Sequence, residues 1–186
     1  MTCIVGIVDD NKDVLIGADS AGVAGYSLII RADEKVFIND GYIFGCCGSH
    51  RMLQLLRYSF KPPKYYGDAD INSFMATTFI NAVRECFKTG GFAHKKDEVE
   101  SMGNSFIVGV KGNLFIVYSD YQIASLVEKY AAIGSGEDIA NGSLFTSDKF
   151  YGETNDEERV EMALEAAEHF NAGVRGPFKI LRLKNE

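Results

Sequence analysis

Thr2-Cys3-Ile4-Val5-Gly6-Ile7-Val8, the polar turn Asp9-Asp10-Asn11-Lys12-Asp13, and Val14-Leu15-Ile16-Gly17-Ala18 read together as a β-hairpin that begins at the N-terminus. Two β-branched apolar runs around a short polar segment are a signature of antiparallel pairing. Outward from it, a glycine-rich stretch from Ala21 to Gly25 leads to the apolar run Ser27-Leu28-Ile29-Ile30. Lys35 to Ile38 and Tyr42 to Cys47 make a further pair of strands, joined by the tight-turn triplet Asn39-Asp40-Gly41.

The strands then give way to helices. Ser49 to Phe60 carries Met52, Leu53, Leu55 and Leu56 at helical spacing, with Ser49 placed to cap the first turn. Pro62-Pro63 and Gly67 mark a loop. Ile71 to Phe87 then sustains an apolar helical stripe, and Thr89 to Gly103 reads as a polar, mobile loop. Strands are expected again at Ser105 to Val110 and Leu114 to Tyr118, around the turn Lys111-Gly112-Asn113, and more briefly at Ile123 to Val127 and Tyr130 to Ile133. Gly134-Ser135-Gly136 opens a helix through Phe145, and Asp156 to Phe170 is a second helix with acids in its first turn. Phe178 to Leu183 closes the chain as a strand.

No repeat, low-complexity tract or boundary divides residues 1–186, which are expected to form one domain. The order is strands, two helices, strands, two helices, strand. An α+β chain of that order fits a four-layer αββα sandwich, in which helix pairs cover two stacked sheets. It fits a two-layer α+β domain equally well.

Composition narrows the partners. The formal charge of −7 argues against nucleic acid, which needs a clustered basic surface. The run His94-Lys95-Lys96 is countered at once by Asp97, Glu98 and Glu100. No segment approaches the apolar length of a membrane helix, and the start lacks the basic n-region of a secretory signal. Cys3, Cys46, Cys47 and Cys86 show no metal-ligand spacing, so no metal is expected, and small reduced thiols in a cytoplasmic setting are the default reading.

Several short segments carry a likeness. Met1-Thr2-Cys3-Ile4-Val5-Gly6 resembles the start of proteasome β subunits and of the related HslV peptidases. Ile16-Gly17-Ala18-Asp19-Ser20, Lys35-Val36, Gly45-Cys46-Cys47-Gly48-Ser49 and Ala132-Ile133-Gly134-Ser135-Gly136 resemble further segments of that N-terminal-nucleophile family, in order and at matching spacings. The resemblance implies the αββα sandwich and a threonine peptidase without cofactor. Its nucleophile would be Thr2, once Met1 is removed. It also implies self-assembly into a homo-oligomeric ring, unfolded protein or peptide substrates, and an AAA+ unfoldase as partner.

Each site residue gains a role on that reading. A free N-terminal amine, with a reference pKa of about 7.7–8.0, can act as base for the hydroxyl of its own threonine. Lys35 would lower the neighbouring pKa values, with Asp19 holding it. Ser135 would bond the amine or cap the helix that follows. Gly48 would present its N–H to the oxyanion or serve only as a turn glycine. Ser20 and Cys46 would line the substrate pocket, unless Cys46 is a small core residue.

Two alternatives for the nucleophile are Cys3, after cleavage beyond Thr2, and a dyad of His50 with Cys46 or Cys47. The segment His169-Phe170-Asn171-Ala172-Gly173 departs from the family's D-x-x-S-G pattern, putting His169 and Ala172 where an aspartate and a serine are expected. That departure leaves room for a catalytically silent structural or assembly subunit. A small-molecule amidase of the same fold would be expected to need a longer chain.

Overall fold

The apolar, β-branched composition of the N-terminal segment drives it into the centre of the molecule. In the computed structural model, which describes residues 1–96, 99–150 and 155–185, β1 (Cys3–Val8) is wholly buried and pairs antiparallel with β2 (Val14–Ala18). Then follow β3 (Ala21–Ala24), β4 (Ser27–Ile30), β5 (Val36–Asn39) and β6 (Tyr42–Cys46). The helical block is α1 (His50–Tyr58), α2 (Ile71–Phe74), a π-helical turn (Met75–Phe79) and α3 (Ile80–Thr89). The chain continues through β7 (His94–Lys96), β8 (Val99–Ser101), β9 (Phe106–Val110), β10 (Asn113–Val117), β11 (Ile123–Ser125) and β12 (Tyr130–Gly134). It ends with α4 (Glu137–Phe150), α5 (Asp156–Phe170) and β13 (Lys179–Leu183).

Two antiparallel sheets form, ordered β12-β1-β2-β13 and β11-β10-β9-β6-β5. Successive side chains of a strand point to opposite faces, so each sheet buries two layers. Cys3, Val5 and Ile7 of β1 face α4 and α5, together with Val160, Leu164 and Ala167. Ile4 and Val8 face the second sheet, where Val36, Ile43 and Ile107 meet them. On its far face the second sheet packs Phe44, Phe106 and Val108 against Met52, Leu56, Phe79 and Val83 of the first helices. The layers are therefore helix, sheet, sheet, helix, and the αββα arrangement is the one adopted.

The turns obey their chemistry. Asp40 and Gly41 both have positive φ, 45° and 82°, as the two-residue hairpin between β5 and β6 requires. Ser49 caps α1 by accepting from Arg51 N.

Four expectations need correction. Ala21–Ala24 is a strand, paired with β4 from Ala21↔Ile30 onward in a hairpin outside both sheets. The polar loop from Thr89 to Gly103 contains the β7–β8 pair, whose charged sequence carries no apolar pattern; residues 97 and 98 lie outside the described residues. The helix expected to stop at Phe145 runs on to Phe150, since nothing after Phe145 breaks it. The long stripe after Ile71 holds a π-helical turn at its middle. No helix among the described residues is long and apolar enough to cross a membrane.

Candidate active site

Three strand ends converge on Thr2. The register Ile4↔Ala18 sets Asp19 beside Cys3, and Cys3↔Gly134 brings Ser135 to the other side of Thr2. Lys35, at the entrance to β5, reaches across from the second sheet. Thr2, Asp19 and Lys35 are 4%, 2% and 3% exposed, so this is a cluster of polar groups inside the protein.

Burial of charge is tolerable only where partners satisfy it. The Asp19 carboxylate accepts from Lys35 Nζ at 2.8 Å, from the backbone N–H of Cys3 and Ala21 at 2.9 Å each, and from Arg175 N at 3.4 Å. Lys35 Nζ also donates to Thr2 Oγ1 at 3.0 Å. Burial pushes the Lys35 pKa below its ordinary value, against the pull of the Asp19 charge. A lysine so placed points a desolvated ammonium at one hydroxyl.

On the other side, the Ser135 hydroxyl accepts from Thr2 N at 3.1 Å. Asn171, at the C-cap of α5, donates from Nδ2 to Ser135 O at 2.5 Å. Asn171 Oδ1 lies 3.5 Å from Ser135 Oγ and accepts from Gly173 N at 2.9 Å. Asn171 thus grips Ser135, a contact the sequence reading missed. The available signal was its place at the helix end, where polar side chains satisfy loose backbone groups. His169 does not join the site: it is exposed on α5, its ring edge against Phe170.

Two glycines shape the surroundings. Gly134 has φ +103°, and a Cβ there would lie 2.4 Å from Thr2 O. Gly48 has φ +90°, and a Cβ would fall 1.7 Å from Asn104 Oδ1. Gly48 is exposed at the end of the β6 turn, and no acceptor among the described residues takes its N–H.

The other named residues lie as follows. The Ser20 hydroxyl donates to Pro177 O at 2.6 Å, which ties it to the segment before β13. Cys46 is buried in the helix–sheet core, where burial holds its thiol well above its ordinary pKa. Cys47 is half-buried on the opposite side of the strand and donates to Ser105 O. The Cys3 thiol faces the α4–α5 layer, and burial, reinforced by the Asp19 charge, pushes it up to about 12. Lys35 Nζ donates to Thr2 Oγ1, while the Cys3 side chain packs into the α4–α5 layer. His50 Nδ1 has no hydrogen-bond partner among the described residues and sits 3.7 Å from Asp33, so no Cys–His dyad forms.

Met1 occupies the approach to Thr2. Its carbonyl accepts from Thr2 Oγ1 at 2.5 Å, and its side chain packs over Gly173, where an added Cβ would come within 2.2 Å of Met1 Cβ. Among the described residues, no group of three or more His, Cys, Asp or Glu side chains could hold a metal.

With this geometry in place, known structures identify the fold as that of the proteasome-like N-terminal-nucleophile hydrolases. BPH from Thiobacillus denitrificans, solved in complex with epoxomicin, matches over 100% of both chains with TM-score 0.82 and 17% identity. HslV from Trypanosoma brucei matches over 98% of this chain and 99% of its own, with TM-score 0.70 and 15% identity. Anbu, an ancestral beta-subunit from Yersinia bercovieri, matches over 98% and 82%, with TM-score 0.63 and 15% identity. No protein-family model and no curated protein matches the sequence. At such identities the likeness carries the fold, and function must be argued from the residues.

Proposed function

We propose that this chain is a threonine-type peptidase subunit whose nucleophile is Thr2 after release of Met1. One observation carries the reading: Thr2 Oγ1 lies 3.0 Å from the buried Lys35 ammonium while Thr2 N lies 3.1 Å from Ser135 Oγ. Once Met1 is gone, Thr2 N becomes a free amine on the same atom position. It takes the hydroxyl proton as Oγ1 attacks the carbonyl carbon of a peptide bond. Lys35 stabilises the charge growing on Oγ1, and Asp19 keeps Lys35 charged and aimed. The Gly48 N–H receives the oxyanion. The C–N bond then breaks as the proton passes to the leaving amine. Water, deprotonated by the same Thr2 amine, hydrolyses the resulting ester.

The fold neighbours support a wider proposal, in which copies assemble into a ring; a cytoplasmic location is part of the proposal and rests on the reduced thiols alone. The ring acts on unfolded protein or peptide substrates, and the HslV likeness extends the reading to an AAA+ unfoldase that delivers them. Epoxomicin, bound by the BPH of Thiobacillus denitrificans, supplies a probe.

A second reading, a catalytically silent subunit, draws on the Met1 carbonyl that accepts from Thr2 Oγ1 at 2.5 Å. Retention of Met1 leaves Thr2 without its base. Intact mass of the purified protein separates the two. The peptidase reading expects loss of one methionine, turnover of fluorogenic peptides abolished by Thr2→Ala, and a covalent adduct with epoxomicin on Thr2. Retained Met1, or equal turnover by Thr2→Ala, defeats it.

A further inference from the structure

Gly48 follows β6 with φ +90°, in the left-handed region. Glycine populates positive and negative φ about equally readily, so the residue itself does not fix where its N–H points. Rotation of the Cys47–Gly48 peptide would carry that N–H away from a substrate carbonyl. Something outside the turn has to hold it.

The segment between β8 and β9 lies against the turn. Cys46 pairs with Phe106, the first residue of β9. One step earlier, Ser105 O accepts from Cys47 N at 3.2 Å and from Cys47 Sγ at 3.3 Å. One step earlier again, Asn104 stands against Gly48 itself. A Cβ on Gly48 would fall 1.7 Å from Asn104 Oδ1, 2.6 Å from its Cγ and 3.1 Å from its Cβ. The atoms nearest that position thus belong to one side chain, and Asn104 is the wall on that side of the glycine.

The wall is itself anchored. Asn104 Nδ2 donates to Met102 O at 3.3 Å, Met102 is wholly buried, and its N–H donates to Ser119 O at 2.8 Å. Gly103 N donates to Ser101 Oγ at 3.0 Å. The turn also adjoins the nucleophile: a Cβ on Gly134 would meet Thr2 O and lie 3.6 Å from Cys47 Cβ.

We infer that Asn104 is a positioning residue for the oxyanion donor. Ser105 fixes the Cys47 end of the peptide, and Asn104 closes the space into which Gly48 would swing. The N–H therefore keeps its aim while charge grows on the substrate oxygen. The inference rests on the peptidase reading with Gly48 as oxyanion donor, and it adds a residue that acts only through Gly48.

Asn104→Ala tests it by separating transition-state from ground-state binding. Outright loss of an oxyanion donor costs on the order of 10²–10³ in kcat, so loss of its alignment should lower kcat about 10-fold with KM held within about twofold. Thr2 Oγ1 adds to the carbonyl carbon of a peptide aldehyde, its proton passing to the Thr2 amine, and leaves charge on the aldehyde oxygen. The Ki of that aldehyde should rise about 10-fold in the variant, in step with kcat. The corresponding peptide alcohol, which forms no adduct, should inhibit both proteins equally. Asn104→Ser also withdraws Oδ1 from Gly48 and takes the place of the alanine variant should that one not fold. An unchanged kcat, or equal weakening of aldehyde and alcohol, overturns the role of Asn104 and leaves the Thr2 peptidase standing. An unmodified chain with neither turnover nor aldehyde binding overturns both.

Discussion

Asn171, between His169 and Ala172, is the side chain of its segment that meets Ser135. Its amide holds Ser135 through a 2.5 Å bond to the backbone carbonyl and a 3.5 Å approach to the hydroxyl, and Ser135 in turn meets Thr2 N. Asn171 is a positioning residue, because it reaches the nucleophile only through Ser135. Asn171→Ala is expected to lower kcat/KM about 10- to 100-fold, the order that follows loss of alignment. Asn171→Asp separates positioning from bulk stability. A carboxylate there favours the protonated Thr2 amine, raises its pKa, and moves the acid limb of the kcat/KM profile to higher pH. Lys35 and Asp19 act on the amine in both proteins, so the displacement reports residue 171 alone; an unmoved limb defeats the role. A second prediction concerns the buried ion pair. Asp19→Asn leaves the Lys35 ammonium without its 2.8 Å partner, and urea unfolding should show a loss of about 3–5 kcal/mol. Lys35→Met added to Asp19→Asn should recover part of that loss, because the uncompensated charge has been removed.

The strands owe their close stacking to small residues. Gly45 on β6 and Gly109 on β9 face the first sheet, and a Cβ at Gly45 would lie 2.4 Å from Ile4 Cγ2 and 2.7 Å from Ile16 Cγ2. Gly45→Ala should therefore destabilise the protein by about 1–3 kcal/mol, the usual cost of overpacking. Combined with Ile4→Ala it should be less than additive in urea midpoints, since the truncated side chain vacates the space. Elements that pack this way were legible in the sequence. The β-branched runs of β1 and β2 have to be buried, Ser49 signals α1, and the acidic turn after Asn155 signals α5. β3, β7 and β8 were not, because glycine-rich and charged strands pair through backbone groups that leave no apolar rhythm. The site divides in the same way. Thr2, Asp19, Lys35 and Ser135 sit at the ends of strands that the apolar runs mark, and strand pairing brings them together although Ser135 lies 133 residues from Thr2. Asn171 comes from a helix end 36 residues beyond Ser135, and only the packing of α5 on the first sheet brings them together. Cys46 and Cys47 differ by one step along a strand, and which one enters the core was decided by the pleat.

Summed over the molecule, burial of ionisable groups fixes how stability responds to alkali. Desolvation raises Cys3 from 9.0 to about 12, Tyr42 from 10.0 to about 12, and Cys46 well above 9.0. Above those ordinary values the unfolded chain releases protons that the folded chain keeps, so stability is full below pH 9.0 and is lost as pH rises toward about 12. Each group contributes a slope of up to about 1.4 kcal/mol per pH unit. Lys35 runs the other way. Its folded pKa lies below 10.5, so just below that pH the unfolded chain binds more protons, and rising pH relieves the desolvation of its charge. Burial raises Cys86, Tyr121 and Tyr130 as well, so six thiols and phenols stand against Lys35 and give a net decline above pH 9. Urea unfolding at a series of pH values from 8 to 11 checks the sum, and single variants check its parts. Tyr42→Phe should flatten the decline above pH 10, where its phenol, bonded to Pro63 O in the fold, is the group lost on unfolding. Lys35→Met should steepen the decline just below pH 10.5, since the opposing contribution is gone. A profile that stays level to pH 11 would mean that these thiols and phenols ionise as freely in the fold as outside it, which the packing of both helix–sheet layers does not allow.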